Sequence, residues 1–141
     1  MAITNATIAL SSDLIDGGIS VSNMATLNTA GTDTGMNTLS SVTKTLSAAS
    51  QVDLITTASV PTTHAYVYIN NPNVDTTTYF TVVIGSAGAG THSDTEELGR
   101  LYSGDWMFIP WDVDDDICVA PYNSAGVLTA DDMVIEYMVF S

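Results

Sequence analysis

Leu98-Gly99-Arg100-Leu101-Tyr102-Ser103-Gly104-Asp105-Trp106-Met107-Phe108-Ile109-Pro110-Trp111 is the stretch on which the reading of this chain turns. In an extended strand successive side chains point to opposite faces, so Trp106 and Phe108 share one face and Met107 and Ile109 the other. Both faces are apolar, as in a strand covered on two sides or lying at a subunit contact. Gly104 supplies the positive φ that a tight three-residue loop often needs. The local pattern therefore predicts a hairpin, residues 97–102 against 106–111.

Working outward, further strands are marked off by turn residues. Residues 52–57 end near Pro61. In residues 64–70, Ala65, Val67 and Ile69 fall on one face and Tyr66 and Tyr68 on the other. Asn71-Pro72-Asn73 closes that strand, because proline lacks a ladder donor and asparagine tolerates turn geometry. Residues 78–85 and 133–140 are rich in β-branched and aromatic side chains, and 116–120 runs to Pro121. The Gly/Ala/Ser-rich 86–93 reads as a mobile loop. Seven short strands at roughly 8–12-residue spacing predict a mainly β fold, an antiparallel β-sandwich of jelly-roll or immunoglobulin-like type. No 20–50-residue repeat of a propeller or solenoid is visible.

The first fifty residues have a different texture, a mixture of Thr, Ser, Ala, Asn and Gly with thinly spread apolar residues. Extended pieces are expected at 3–10 and 19–24, and a loop at 30–35. Met36, Leu39, Val42 and Leu46 are spaced for a short amphipathic helix, against the weight of the β-branched residues among them. The expected organisation is an extended polar arm over 1–50 and a β-sandwich domain over 51–141.

Charge excludes several functions. Sixteen Asp and Glu face two basic side chains, Lys44 and Arg100, for a formal net charge of -14 on 141 residues. Affinity for phosphate backbones comes from Lys and Arg displacing counterions, so neither nucleic acid nor an anionic membrane is an expected partner. The chain is 45% hydrophobic, which sets it apart from a disordered acidic tail. Thirteen of the acids are Asp, a residue of turns and caps. Cys118 is alone, so no intrachain disulfide is expected. Met1-Ala2-Ile3-Thr4-Asn5 does not read as a secretory signal, and no apolar run reaches membrane-spanning length.

Catalytic patterns are sparse. His64 and His92 have no nucleophile-elbow serine to serve. Glu96, Glu97 and Glu136 are not marked as a cleft pair by anything around them, and 85–90 lacks the lysine of a phosphate loop. The exception is Asp112-Val113-Asp114-Asp115-Asp116. Asp112, Asp114, Asp115 and Asp116 offer oxygen ligands to Ca²⁺, without the order of an EF-hand loop. A solvated acidic turn is the plainer reading. The chain reads as non-enzymatic and no cofactor is expected, a structural calcium on that turn being the one alternative.

The Gly104-Asp105-Trp106 motif leading to Pro110-Trp111, with Tyr66-Val67-Tyr68-Ile69-Asn70-Asn71 upstream and residues 134–140 at the end, resembles small virion structural proteins of tailed phages, especially those of marine and cyanobacterial hosts. The resemblance covers about residues 64–141. It implies a capsid decoration or cement protein, made in the host cytoplasm and carried on the capsid surface. Such a protein would associate as a homotrimer and bridge subunits of the major capsid protein. Tyr66, Tyr68, Arg100, Tyr102, Trp106, Phe108 and Trp111 are the expected interface residues. The alternative is a receptor- or carbohydrate-binding β domain of a tail or fibre, in which the aromatics stack on sugar rings.

Overall fold

Alternation of side chains builds a two-layered β structure. The computed structural model describes residues 4–12, 19–27, 39–60, 62–85 and 96–141. They form ten strands: β1 (Thr4–Ser12), β2 (Ile19–Leu27), β3 (Leu39–Leu46), β4 (Val52–Ile55), β5 (Ala65–Asn70), β6 (Thr78–Ile84), β7 (Glu96–Leu101), β8 (Trp106–Trp111), β9 (Ile117–Asn123) and β10 (Met133–Phe140). The chain divides into two compact units, residues 1–38 and 39–141. The loops expected at 30–35 and 86–93 lie outside the described residues.

In the first unit β1 and β2 pair antiparallel, from Thr4 opposite Leu27 to Ser12 opposite Ile19. Neither strand contains a charged residue. A two-stranded ribbon is marginal by itself in water and gains stability by packing against something else.

The second unit holds two four-stranded antiparallel sheets, ordered β3-β10-β5-β8 and β4-β9-β6-β7. Strand partners are nested: β3 with β10, β4 with β9, β5 with β8 and β6 with β7. This is one long hairpin rolled into a sandwich, the jelly-roll arrangement. Of the two sandwich types expected, the strand order selects this one. Ala65, Val67 and Ile69 of β5, Phe80 and Val82 of β6, Ile117 and Val119 of β9 and Ile135 and Val139 of β10 fill the space between the sheets.

Several expectations are corrected. The sequence-adjacent strands β7 and β8 do not form a hairpin: β7 pairs with β6 and β8 with β5, in opposite sheets. Their four-residue connection is a turn in which the Asp105 N–H donates to the Tyr102 carbonyl, with Gly104 at φ 77. It has the expected turn chemistry and serves a crossing between layers. Residues 39–46, expected in the arm and within reach of a helical pattern, are strand β3. Val42, Thr43 and Thr45 favour extended backbone, and β10 offers eight residues to pair with. The sandwich accordingly begins at residue 39. Nor does Pro121 stop β9, which continues to Asn123. Pairing with β4 ends at Val119, so the missing N–H of Pro121 breaks no ladder with β4, while its carbonyl accepts from the Thr129 N–H at 3.1 Å.

Asn71 ties one end of the sandwich together. It is fully buried, and its Nδ2 donates to the Leu101 carbonyl at 2.9 Å. Its backbone N–H donates to Asp105 and its carbonyl accepts from Gly104. Asn73, oriented by Asn71 Oδ1, accepts from the Val134 N–H at 2.9 Å and donates back to the Val134 carbonyl at 2.6 Å. Two connections and the start of β10 converge on two amides. Asn71→Ala strands the buried Leu101 carbonyl, at a cost of about 1–3 kcal/mol. Urea unfolding should show that loss at an unchanged m-value, and an unchanged midpoint would refute the role.

Tyr137 lies on the core side of β10, between Val42 and Ile69. Burial raises its hydroxyl pKa above the ordinary 10.0. The folded state therefore holds this proton more tightly than the unfolded state. Its contribution is complete below the ordinary tyrosine value and is lost as pH rises through the raised one. Melting temperature should fall above about pH 10, and less steeply in Tyr137→Phe. Superimposable alkaline profiles for the two proteins would contradict this.

Candidate functional site

The face of β3-β10-β5-β8 turned away from the core carries five large aromatic side chains, Tyr66, Tyr68, Trp106, Phe108 and Phe140. Strand pairing sets them in rows across the sheet. The first runs Leu39, Phe140, Tyr66, Pro110, and the second Ser41, Met138, Tyr68, Phe108. A third runs Thr43, Glu136, Asn70, Trp106. Two rows are almost wholly apolar, and the third is polar until it ends on an indole.

The rings pack on one another between rows. Tyr66 and Phe108 stack with centroids 5.7 Å apart and planes 8° from parallel. Phe108 meets Phe140 edge-on at 6.2 Å, and His64 meets Tyr66 at 5.2 Å. Tyr68 lies 6.0 Å from Trp106 in a tilted pair. Such pairs contribute about 0.5–1.5 kcal/mol each beyond their buried area. They also hold the rings in fixed orientations on a rigid sheet. Yet Leu39 remains 59% exposed and Trp106 53%.

Charge is scarce here. The four strands of this sheet contain one acid, Glu136, and one base, Lys44. Lys44 stands opposite Ile135 on the core side, and its Nζ donates to the Asp53 carbonyl of β4 at 3.1 Å, joining the two sheets at their edge. Glu136 Oε2 accepts from Asn70 Nδ2 at 3.0 Å. Most of the described Asp residues lie in connections instead: Asp75, Asp105, the 112–116 turn, Asp131 and Asp132.

Of the seven expected interface residues, Tyr66, Tyr68, Trp106 and Phe108 come together on this face. Arg100 and Tyr102 sit with the opposite sheet. There Tyr79 stacks on Tyr122 at 5.5 Å and packs on Tyr102 at 5.1 Å, with the Arg100 guanidinium 5.3 Å from the Tyr79 ring centre. A bulge at Leu98 shifts the phase of β7, which puts Glu97 and Arg100 within reach of each other although they are three apart. Their single contact is 3.1 Å, so the bidentate geometry open to an arginine is not formed. Hydrogen bonds that the guanidinium donates to Glu97 and Tyr102 hold its pKa above the usual value.

Trp111 is the correction. It is 2% exposed and belongs to the core, with its Nε1 donating to the Asp115 carbonyl at 2.9 Å. Two tryptophans five residues apart thus take opposite sides of one strand. The expected list lacked Leu39, Met138, Phe140 and His64, which complete the surface. Phe140 and Met138 alternate with Val139 along β10, a signal present in the sequence. Leu39 joins only through the pairing of β3, which no local pattern announces.

The acidic stretch is a well-formed turn. Asp116 Oδ1 accepts from the Thr57 N–H at 2.7 Å, Asp112 Oδ1 from the Asp114 N–H at 3.4 Å, and Val113 takes φ 64. Among the described residues, no cluster of three or more His, Cys, Asp or Glu is placed to hold a metal ion. Cys118 is buried, its Sγ 2.8 Å from the Gly85 carbonyl and 3.1 Å from Asp53 Oδ1. His64 is part of the aromatic cluster, and His92 lies outside the described residues.

No protein-family model matches the chain, and no curated protein matches it. Among solved structures it is similar to the Yersinia pseudotuberculosis-derived mitogen, at 11% identity over 73% of this chain and 85% of that one. The TM-score is 0.42, too low for the likeness to carry any argument about fold or function.

Proposed function

We propose that this chain is a non-enzymatic virion structural protein that decorates or cements a phage capsid by bridging neighbouring capsid subunits. The observation that carries the reading is the aromatic face of β3-β10-β5-β8. A jelly roll needs one apolar face per sheet to make its core, and this sheet has two. An exposed, contiguous apolar surface of this kind marks an association site. Leu39, Phe140, Tyr66, Pro110, Met138 and Phe108 form its continuous part. The sequence resemblance to phage virion proteins supplies the particle, and the major capsid protein is the partner it implies.

Electrostatics favour the same surface. At -14 per chain, copies repel one another wherever their acidic connections approach. Contact through the two apolar rows of a sheet whose one acid, half-buried Glu136, lies in the third row keeps that charge out of the contact. On a particle, many such contacts add, so each one need not be strong.

Analytical sedimentation of the purified chain should show a homotrimer that strengthens as salt rises, because screening weakens repulsion between exposed acids. Phe108→Ser should keep the sandwich, since Phe108 points away from the core, and should weaken association about tenfold or more. Co-sedimentation with capsids should fall in parallel. A wild-type monomer both alone and with capsids would refute the reading, as would association that weakens with added salt.

A further inference from the structure

We infer that the third row of the same sheet face is a binding site for a neutral oligosaccharide, with Trp106 as its stacking platform. This goes beyond the association reading, which rests on the two apolar rows. Trp106 begins β8 at the edge of the sheet, half-exposed and backed by Tyr68. A backed ring keeps its plane, so a ligand that stacks on it does not bear the cost of ordering it. Directly across the sheet from Trp106 stand Asn70, then Glu136, then Thr43.

That combination matches the chemistry of a pyranose. One side of the sugar ring presents C–H groups, which an indole face removes from water. The rim presents hydroxyls, each both donor and acceptor. Asn70 Nδ2 donates to Glu136 Oε2, which fixes both side chains and directs their remaining capacity outward. Glu136 Oε1 is an acceptor, and the Asn70 amide retains an oxygen and a second N–H. A carboxylate held by an amide accepts charge-assisted bonds from adjacent hydroxyls, roughly twice as strong as neutral ones. The row from Trp106 to Thr43 crosses three strand spacings, about 14 Å, long enough for several linked sugars.

Charge selects among glycans. Glu136 lies within the row and the whole chain carries -14, so uronic, sialic and sulfated sugars are repelled. Protein segments fit the row less well, because the polar trio interrupts the apolar surface that an interface core requires.

The two tryptophans make the test direct. Trp111 is 2% exposed, so quenching by acrylamide reports on Trp106. The full chain is titrated with cellotetraose, maltotetraose and tetra-N-acetylchitotetraose, and with tetragalacturonate as the anionic control. At least one neutral tetramer should shield Trp106 at or below about 10 mM, and tetragalacturonate should not. Saturation-transfer NMR then compares variants. Trp106→Ala should abolish binding, Trp106→Phe should retain it weakened, and Glu136→Gln and Asn70→Ala should each weaken it about tenfold or more. The half-exposed position of Trp106 leaves the core intact in these variants. Absence of shielding by all three neutral tetramers overturns the inference, as does wild-type binding by Trp106→Ala or equal binding of tetragalacturonate. Sedimentation of the same samples reads association separately, so either proposal can fail while the other stands.

Discussion

A β-strand has two faces, and in β5, β8 and β10 neither can be left to water without consequence. The inner set of Ala65, Val67, Ile69, Ile109, Trp111, Ile135 and Val139 makes the core of the sandwich. Alternation then forces the intervening residues outward, and among them are Tyr66, Tyr68, Trp106, Phe108, Met138 and Phe140. Each of the largest residues, Phe, Tyr and Trp, buries 150–250 Å² when fully covered, on general values. A surface made from them is poised to lose water against another surface. The functional readings both descend from this one geometric constraint.

What the sequence disclosed was whatever depends on neighbours in the chain. The bounds of β8 and β10 follow from composition and flanking turns, and the partition of Trp106 and Phe108 from Met107 and Ile109 follows from period two. Pairing partners do not. The Ser103-Gly104-Asp105 turn is compatible with a hairpin and with a crossing between layers, and the choice is made by β5 and β6, which lie far from it in the chain. β3 was hidden for the same reason. Its exposed Ser and Thr bury little, and it exists as a strand because β10 presents a free edge to it. Trp111 shows a third kind of failure. An indole beside an acidic turn has the look of a surface anchor, but Asp115 contributes its backbone carbonyl, not its carboxylate, and so satisfies Nε1 inside the core.

The polar groups that are buried serve the connections. A jelly roll crosses between its sheets at almost every link, so loops at each end must be held together without a shared ladder. Asn71 and Asn73 do this at one end, joining the links after β5 and β7 to the start of β10. At the other end Asp116 receives the Thr57 N–H through its side chain and the Gly85 N–H through its carbonyl. The Asp-rich composition thereby has two causes. Some carboxylates, like Asp116, replace missing backbone partners, and others sit at turn tips where their charge is solvated.

That placement of acids determines what the outer sheet face can do. Had the carboxylates been spread along the strands, Coulomb repulsion between copies would oppose any contact through the sheet, and the rows of rings would be interrupted. Among the described residues the other acids lie in connections or, as Asp53, Glu96 and Glu97, in the opposite sheet, which leaves this face with a single acid, oriented by an amide beside an indole. The face is therefore graded across its rows. Toward Leu39 and Pro110 it offers only apolar contact, suited to burial against protein. Toward Trp106 it offers one apolar plane and a directed set of hydrogen-bonding groups, suited to a ligand with hydroxyls at its rim. The difference between these two chemistries arises from two residues, Asn70 and Glu136, at positions where the neighbouring row carries Tyr68 and Met138.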